Sequence, residues 1–229
     1  MASSARFEKL MEPGYIGRVR TKNRIIKTAA GTGLIEKDGT VGETMKGFYE
    51  TMAKGGVGLL IFEYCSVEYP RGTLRQWYAA HLSDDKFIPS YGELVKVVHK
   101  RGCPFFMQLM HSGPWYQSNM WSDGPGDRIA PSAFTKDELP PGLFTPTREL
   151  LTAEVEELID TFAKAAERAQ KAGFDGVDIN GSHYHLINAF LSRFWNRRHD
   201  AYGCDSLENI ARFMCNIVRE VKRRCGKDY

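Results

Sequence analysis

A polar cluster follows directly after a short apolar stretch in the last third of this sequence. Asn180, His183 and His185 come where a strand containing Val177 and Ile179 ends. Because side chains alternate along a strand, Asn180 is predicted on the face opposite those two aliphatic residues, where a ligand can reach it. Amide and imidazole groups can donate to a substrate oxygen that gains negative charge, and imidazoles also bind metals. The sequence therefore predicts a ligand site at the end of this strand.

Length and composition indicate an ordinary globular chain. It has 229 residues, 42% of them hydrophobic and 26% charged, with a formal net charge of +3. This small charge is spread along the chain and does not favour nucleic acid as a partner. The five cysteines include no C-x-x-C pair, no apolar run approaches the ~20 residues that span a bilayer, and the first residues carry no apolar signal core. We expect a cytoplasmic protein without a membrane or nucleic-acid partner.

Strand and helix patterns alternate along the chain. Strands are predicted over 24–30, 57–64, 104–110 and 175–180. Helices are predicted over 41–55, over 84–101, from Thr152 as N-cap, and from Ser206 as N-cap. The alternation predicts an α/β fold in which helices cover a parallel sheet.

Two architectures share this alternation, the doubly wound sheet and the TIM (β/α)₈ barrel. The doubly wound sheet usually carries G-x-G-x-x-G after its first strand, and Gly31 and Gly33 lack the third glycine. The barrel is therefore favoured. Because a complete barrel takes about 250 residues and eight units, we expect residues 1–229 to supply about its first four units, as part of a single domain. Residues 112–151, rich in Gly and Pro, are expected to form a lid-like excursion.

Five segments of the chain carry a family pattern in a fixed order. They are KNRII at 22–26, KGGVGL at 54–59 with Glu63, QLMHSG at 108–113, FDGVDI at 174–179 followed by LINAFLS at 186–192, and NRRHDAYG at 196–203 followed by SLENIARF at 206–213. This pattern resembles the old yellow enzyme family of flavin-dependent ene-reductases, particularly its branch of NADH:flavin oxidoreductases and 2,4-dienoyl-CoA reductases. We interpret Tyr202 and the run 196–200 as structural residues that brace the loop before the last helix.

The resemblance implies an FMN across the barrel mouth and NADH or NADPH as reductant. FAD and an iron–sulfur cluster are implied only for a longer product. The residues implied to contact the flavin are Thr28, Ala29, Ala30, Gly31, Tyr64 and Gln108. A side-chain amide such as that of Gln108 offers both a donor and an acceptor to the edge of a flavin ring.

The resemblance also implies reduction of the C=C bond of an α,β-unsaturated carbonyl, such as an enone, or of an enoyl thioester such as an enoyl-CoA. Asn180 and His183 occupy the positions that hold the substrate carbonyl. The family's proton-donating tyrosine is replaced by His185, and Tyr184 stands one place early. A histidine near its ordinary pKa of about 6.5 can act as a general acid, so His185 and Tyr184 are the candidate catalytic residues.

Several residues depart from the family pattern and are expected to crowd or alter the flavin pocket. Tyr64 replaces a small residue, Lys27 an apolar one, the pair Ala29 and Ala30 a proline–methionine pair, and Pro114 an arginine. The departures leave other functions open.

One alternative is a purely structural role, in which the two histidines only form hydrogen bonds with backbone groups at the start of the next helix. A metal-dependent TIM-barrel hydrolase that uses His183 and His185 is a second alternative, and a truncated, inactive half-barrel is a third. The phosphate site of barrels commonly lies after strands seven and eight. The isolated chain is therefore expected to bind FMN weakly and to self-associate or require a missing C-terminal half.

Overall fold

The computed structural model describes residues 7–74, 79–115, 128–139 and 146–229. Within these ranges the elements are α1 (Glu8–Met11), β1 (Gly14–Ile16), β2 (Val19–Thr21), β3 (Ile26–Lys27), α2 (Glu43–Lys54), β4 (Leu59–Ser66), α3 (Ile88–His99), β5 (Phe105–Met110), β6 (Arg128–Ala130), β7 (Thr147–Glu149), α4 (Thr152–Ala172), β8 (Gly176–Ile179), α5 (Leu186–Leu191) and α6 (Leu207–Cys225). Short 3₁₀ turns cover Asp85–Phe87 and Lys136–Glu138.

The central sheet has four strands in the order β3–β4–β5–β8, and every neighbouring pair is parallel. The four predicted strands are therefore confirmed in place, order and direction. A register irregularity between Ile61 and Tyr64 in β4 sets Tyr64 opposite Gln108 of β5, and Gln108 in turn faces Asp178 of β8. This register brings polar side chains of three strands into one row.

Helices pack on the sheet through an apolar core. The α4 helix is 21 residues long and buries one stripe that includes Val155, Phe162 and Ala166. Residues at helical spacing share one face, so this stripe follows from the sequence pattern. Val177 and Ile179 of β8 pack against the same core, as the alternation predicted. Their neighbours in β8 therefore face the other side of the sheet.

One of the two predicted helix caps is correct. The Ser206 Oγ accepts a hydrogen bond from the Asn209 backbone N–H at 3.1 Å, which is the geometry of an N-cap. Thr152 is instead the first helical residue, and Leu151 is the N-cap. The Thr152 hydroxyl donates to Asp200 Oδ2 at 2.8 Å, so a tertiary contact has replaced the local one.

Two small sheets were not predicted. β1 and β2 form an antiparallel hairpin whose turn contains Gly17 at φ +56°, a conformation that glycine adopts without strain. β6 and β7 form a parallel pair inside the segment predicted to be irregular. The excursion is thus partly regular, while 116–127 and 140–145 lie outside the described residues. Its lid role stays a prediction.

The described part of the chain shows an open parallel sheet covered by helices, with β3 and β8 at its edges. This arrangement is that of the first four units of a TIM barrel, as the sequence predicted. Among the described helices, none has the length and apolarity needed to cross a membrane.

Candidate active site

A cavity of about 360 Å³ lies beside the central sheet. All four strands of the central sheet, or the segments that follow them, contribute to its walls, which is where α/β proteins place ligand sites. Its lining residues are Ala29, Ala30, Gly31, Tyr64, Leu74, Gln108, Trp115, Asn180, His183 and His185. The structure therefore brings together all the sequence-predicted site residues except Thr28 and Tyr184.

Gln108 stands at the centre of a hydrogen-bond chain across two strands. Its Nε2 donates to Asp178 Oδ2 at 2.6 Å, and its Oε1 accepts from Asn180 Nδ2 at 3.0 Å. A carboxylate only accepts, so Asp178 fixes which end of the Gln108 amide faces it. The Gln108 oxygen then fixes the direction of the Asn180 amide. One N–H of each amide remains for a ligand.

The loop after β8 turns sharply at His183 and Tyr184. Both residues have positive φ, 57° and 60°, which is uncommon for residues other than glycine. Asn180 Oδ1 stabilises the start of this turn by accepting from the Ser182 N–H at 2.9 Å. The turn places His183 on the cavity wall, whereas Tyr184 is 55% exposed and outside the lining. Tyr184 therefore does not contact the cavity in this conformation.

His183 is held by two neighbours. Its Nδ1 lies 2.6 Å from the Ser182 hydroxyl, and its ring is stacked at 13° to Trp115 with centroids 6.5 Å apart. Ser182 also bonds Asn180 Oδ1 at 3.1 Å, so the two predicted carbonyl-binding side chains share one hydroxyl. Asn180 and His183 are thereby oriented together.

His185 is 3% exposed and lines the same cavity. The Leu186 N–H donates to the His111 carbonyl at 2.9 Å, which ties this turn to the end of β5. Burial, and secondarily the nearby His183 and His111, lower the pKa of His185 to about 3. This lowered pKa differs from the ordinary value expected from the sequence, and the role of His185 as a general acid stays a prediction.

The departures from the family pattern divide into two groups. Tyr64 lies against Gly31 so closely that a Cβ on Gly31 would fall 2.5 Å from the phenol ring. Tyr64 thus fills the space beside Gly31 on the cavity wall, and its crowding of a bound flavin stays a prediction. Lys27 and Pro114 lie outside the cavity lining, and their expected effect on the flavin pocket stays a prediction. The Lys27 Nζ is buried near the Tyr49 ring instead, at 5.2 Å from its centroid, and burial lowers its pKa.

The residues present fit a flavin. Ala29, Ala30 and Gly31 form a wall of small side chains that lets backbone groups approach a flat ring, and Gln108 keeps one donor and one acceptor site free for its edge. Thr28 is exposed and outside the lining, so its contact with the cofactor stays a prediction.

The alternative metal site has little support in the described residues. No group of three or more His, Cys, Asp or Glu side chains there is arranged to hold a metal ion. The His183 and His185 ring centroids are 6.3 Å apart, and carboxylates with ligand geometry do not accompany them within the described ranges.

Sequence reasoning missed three residues of the site. Trp115 lies 5.1 Å from the His185 ring between centroids, Leu74 lines the cavity, and Asp178 orients Gln108. Trp115 follows the QLMHSG segment by two residues, and an aromatic residue just after a site strand is a usable signal. Asp178 shares the alternation face of Asn180, which is a signal of the same kind.

Comparison with known proteins agrees with this geometry. The model of the NADH:flavin oxidoreductase / NADH oxidase family matches residues 9–229, and the chain belongs to that family. It is 37% identical over 227 residues to an NADH oxidase of Thermoanaerobacter brockii, covering 97% of this chain and 33% of the relative. A cinnamate reductase of Clostridium sporogenes is 35% identical over 227 residues, with the same two coverages of 97% and 33%.

Solved structures give the same fold. The old yellow enzyme homologue from Zymomonas mobilis superposes with a TM-score of 0.83 at 30% identity, covering 96% of this chain and 61% of that one. A 2-naphthoyl-CoA reductase complex superposes with a TM-score of 0.87 at 27% identity, covering 97% of this chain and 34% of that one. The chain thus spans about a third of the first two curated relatives and about three-fifths of the old yellow enzyme homologue.

Proposed function

We propose that this chain carries the substrate-binding part of an FMN-dependent oxidoreductase that uses NADH or NADPH to reduce the C=C bond of an α,β-unsaturated carbonyl compound or enoyl thioester. The observation that carries the proposal is the convergence of Asn180, His183 and Gln108 on one cavity walled by Ala29, Ala30 and Gly31. The family match and the names of two relatives, a cinnamate reductase and a 2-naphthoyl-CoA reductase, support the same reaction class.

In this proposal Asn180 and His183 hold the substrate carbonyl. Hydride addition at the β-carbon increases negative charge on the carbonyl oxygen, and donors fixed before the reaction stabilise that charge. Asn180 offers its remaining N–H, since its other one is taken by Gln108. The Ser182 hydroxyl has one hydrogen, which either Asn180 Oδ1 or Nδ1 of His183 can accept. His183 donates to the substrate in the tautomer in which Nδ1 accepts that hydrogen and the opposite ring nitrogen carries the N–H, while Asn180 Oδ1 keeps the Ser182 backbone N–H.

FMN bound at this wall would supply the hydride to the substrate, and the chain's own residues would orient the acceptor. Gln108 and the backbone of 29–31 are the groups proposed to hold the flavin ring. Tyr64 would limit the width of the substrates that fit beside it, because its ring packs against Gly31.

Burial disfavours the charged form of His185, which is the form that would donate a proton to the α-carbon. Tyr184 would have to turn inward to reach the cavity, since it is 55% exposed. We therefore propose that water in the cavity delivers this proton. The roles of His185 and Tyr184 as proton donors stay predictions beside this proposal.

A His183→Ala variant tests the proposal. We expect kcat/KM for 2-cyclohexen-1-one to fall about 100-fold, the usual cost of removing one oxyanion donor. His199→Ala is the matched control, because the His199 side chain is 89% exposed and only faces Asp205 at 3.8 Å. Steady-state kinetics of the full-length protein with NADH and with NADPH measure both variants. Equal rates for wild type and His183→Ala would remove the proposed role.

A separate proposal concerns the barrel formed by the isolated chain of 229 residues. We propose that it needs further protein, whether a C-terminal continuation or a second copy, to complete the barrel. The activity assays above therefore use the full-length protein. In it, the remaining part of the barrel is proposed to bind the flavin phosphate.

A further inference from the structure

A buried carboxyl group is bonded to the end of the loop that forms the small-residue wall of the cavity. Glu63 of β4 is 2% exposed. Its Oε1 accepts two hydrogen bonds from Thr32, one from the backbone N–H at 2.9 Å and one from the side-chain hydroxyl. Thr32 directly follows Gly31, the last residue of the wall. A strand side chain therefore holds the end of that loop.

Glu63 is itself fixed by the core. Its backbone N–H donates to the Tyr49 hydroxyl at 3.1 Å, and Tyr49 is fully buried. The register of β4 is irregular between Ile61 and Tyr64, and irregularities of this kind redirect side chains next to functional sites. Phe62 and Glu63, which are consecutive in the strand, are both buried. The carboxyl group therefore lies on a firmly packed part of the fold.

The wall lies between two attachments to β4. At its start, Lys27 pairs with Leu60 in the parallel ladder of β3 and β4. At its end, Thr32 bonds Glu63. Only residues 28–31 lie between these two attachments. Removing the Glu63 carboxyl group would leave the backbone of the wall with more conformations, and ordering it again on binding would cost free energy.

We propose that Glu63 is a positioning residue for the flavin, because through Thr32 it holds the backbone of 29–31 in the conformation that contacts the ring. The inference rests on the proposed function, in which this backbone holds the flavin ring. It goes beyond that function by assigning a role to a residue that lies outside the cavity lining. Since the wall is fixed before the ligand arrives, loss of the Thr32 bonds should appear as loss of FMN affinity.

Two substitutions of Glu63 test the proposal in the full-length protein stripped of FMN. Binding of added FMN is measured by the quenching of flavin fluorescence. Glu63→Ala removes the acceptor of both bonds and is expected to weaken FMN binding about tenfold. Glu63→Gln keeps a side-chain oxygen that can accept both bonds, and its FMN affinity is expected to stay within about twofold of the wild type.

Thr32 supplies a second pair of variants at the other end of the contact. Thr32→Val removes the hydroxyl bond and is expected to weaken FMN binding about threefold, whereas Thr32→Ser keeps that bond and should bind FMN as the wild type does. Thr51→Val is the matched control, because the exposed Thr51 donates its hydroxyl to the Gly47 carbonyl at 2.8 Å, within α2.

A spectroscopic measurement separates positioning from fold stability. At saturating FMN, the visible circular dichroism of the bound flavin should change in Glu63→Ala and keep its wild-type shape in Glu63→Gln. A residue that only stabilises the fold would lower the urea midpoint of unfolding and leave FMN affinity and this spectrum unchanged.

Three results would overturn the inference. The first is wild-type affinity and spectrum in Glu63→Ala, and the second is equal weakening in Glu63→Ala and Glu63→Gln. The third is equal FMN affinity of Thr32→Val and Thr32→Ser, which decides the matter where Glu63→Ala does not fold.

Binding and turnover separate this inference from the proposed function. Failure of the reaction class would appear as unreduced 2-cyclohexen-1-one, with the differences in FMN affinity among the variants intact. Failure of the inference would appear as equal FMN affinity of these variants, with reduction of the enone intact. Neither result mimics the other.

Discussion

An Arg198→Ala variant is expected to lose about 3–5 kcal/mol of unfolding free energy, the usual cost of breaking a buried ion pair. The Arg198 side chain is only 4% exposed. Its Nε donates to Asp200 Oδ1 at 3.0 Å, its Nη1 donates to the Pro131 carbonyl at 3.1 Å, and it also bonds the Leu150 carbonyl. Removing the guanidinium would take this donor from the Pro131 and Leu150 carbonyls, and from Asp200, which keeps the Thr152 hydroxyl and the Tyr202 N–H.

The neighbouring Arg197 supplies a matched control. Its side chain is 47% exposed, and it pairs with Glu138, itself 38% exposed, at 2.7 Å. Exposed pairs of this kind contribute about 0–1 kcal/mol, so Arg197→Ala should cost little. Urea denaturation followed by circular dichroism measures both variants. Similar losses for the two arginines would contradict the bracing role assigned to the Asn196–Asp200 run.

Stability is expected to fall as pH drops from 6.5 to 4.5, and His185 is expected to contribute to that fall. Burial lowers the pKa of His185 to about 3 and that of His81 to about 4. The unfolded chain takes up protons near pH 6.5 whereas the folded chain does not, so acid favours unfolding in this window. Since one pKa unit corresponds to about 1.4 kcal/mol, His185 alone contributes on the order of 2–3 kcal/mol between these pH values.

Other groups titrate outside this window or oppose the trend. Glu68 and Asp200 have a pKa of about 2 in the fold, so their stabilising effect is lost only as pH falls below about 4.5. His99 has a raised pKa because Asp175 bonds it, so its effect is present below pH 6.5 and is lost as pH rises. The fall between pH 6.5 and 4.5 therefore reports buried neutral histidines.

The variant that tests this is His185→Phe, which keeps an aromatic ring and removes the titrating nitrogen. Its free energy of unfolding should change less with pH than that of the wild type. His199→Phe is the matched control, because the His199 side chain is 89% exposed. Denaturation curves at pH 6.5, 5.5 and 4.5 measure the slope. A wild-type slope retained in His185→Phe would show that His185 titrates normally in the fold.

The sequence was a good guide to the strands of this protein and to one side of its site. The alternation of Val177 and Ile179 with polar residues correctly predicted the face of Asn180, because strand periodicity is local. The sequence did not predict the hairpin β1–β2 or the pairing of β6 with β7, because short strands carry little periodic signal. Strand partners in these cases depend on contacts made by the folded chain.

The side-chain details of the site could not be read from sequence in the same way. The outward direction of Tyr184 depends on two successive positive φ values, which no residue type at those positions signals. The low pKa of His185 depends on burial, and the ring packs against Trp115, which follows β5 and is far away in sequence. Thr152 does not cap its helix, because its hydroxyl donates to Asp200, a tertiary partner. These features arise from packing between distant segments.

The measurement that tests the central proposal most directly is the position of the transferred hydride in the product. Full-length protein with FMN is incubated without oxygen with 2-cyclohexen-1-one and NADH or NADPH deuterated at the transferable C4 position. The account predicts cyclohexanone with deuterium at the β-carbon and a solvent-derived hydrogen at the α-carbon. An unreduced C=C bond, or deuterium on the carbonyl carbon of an alcohol, would contradict it.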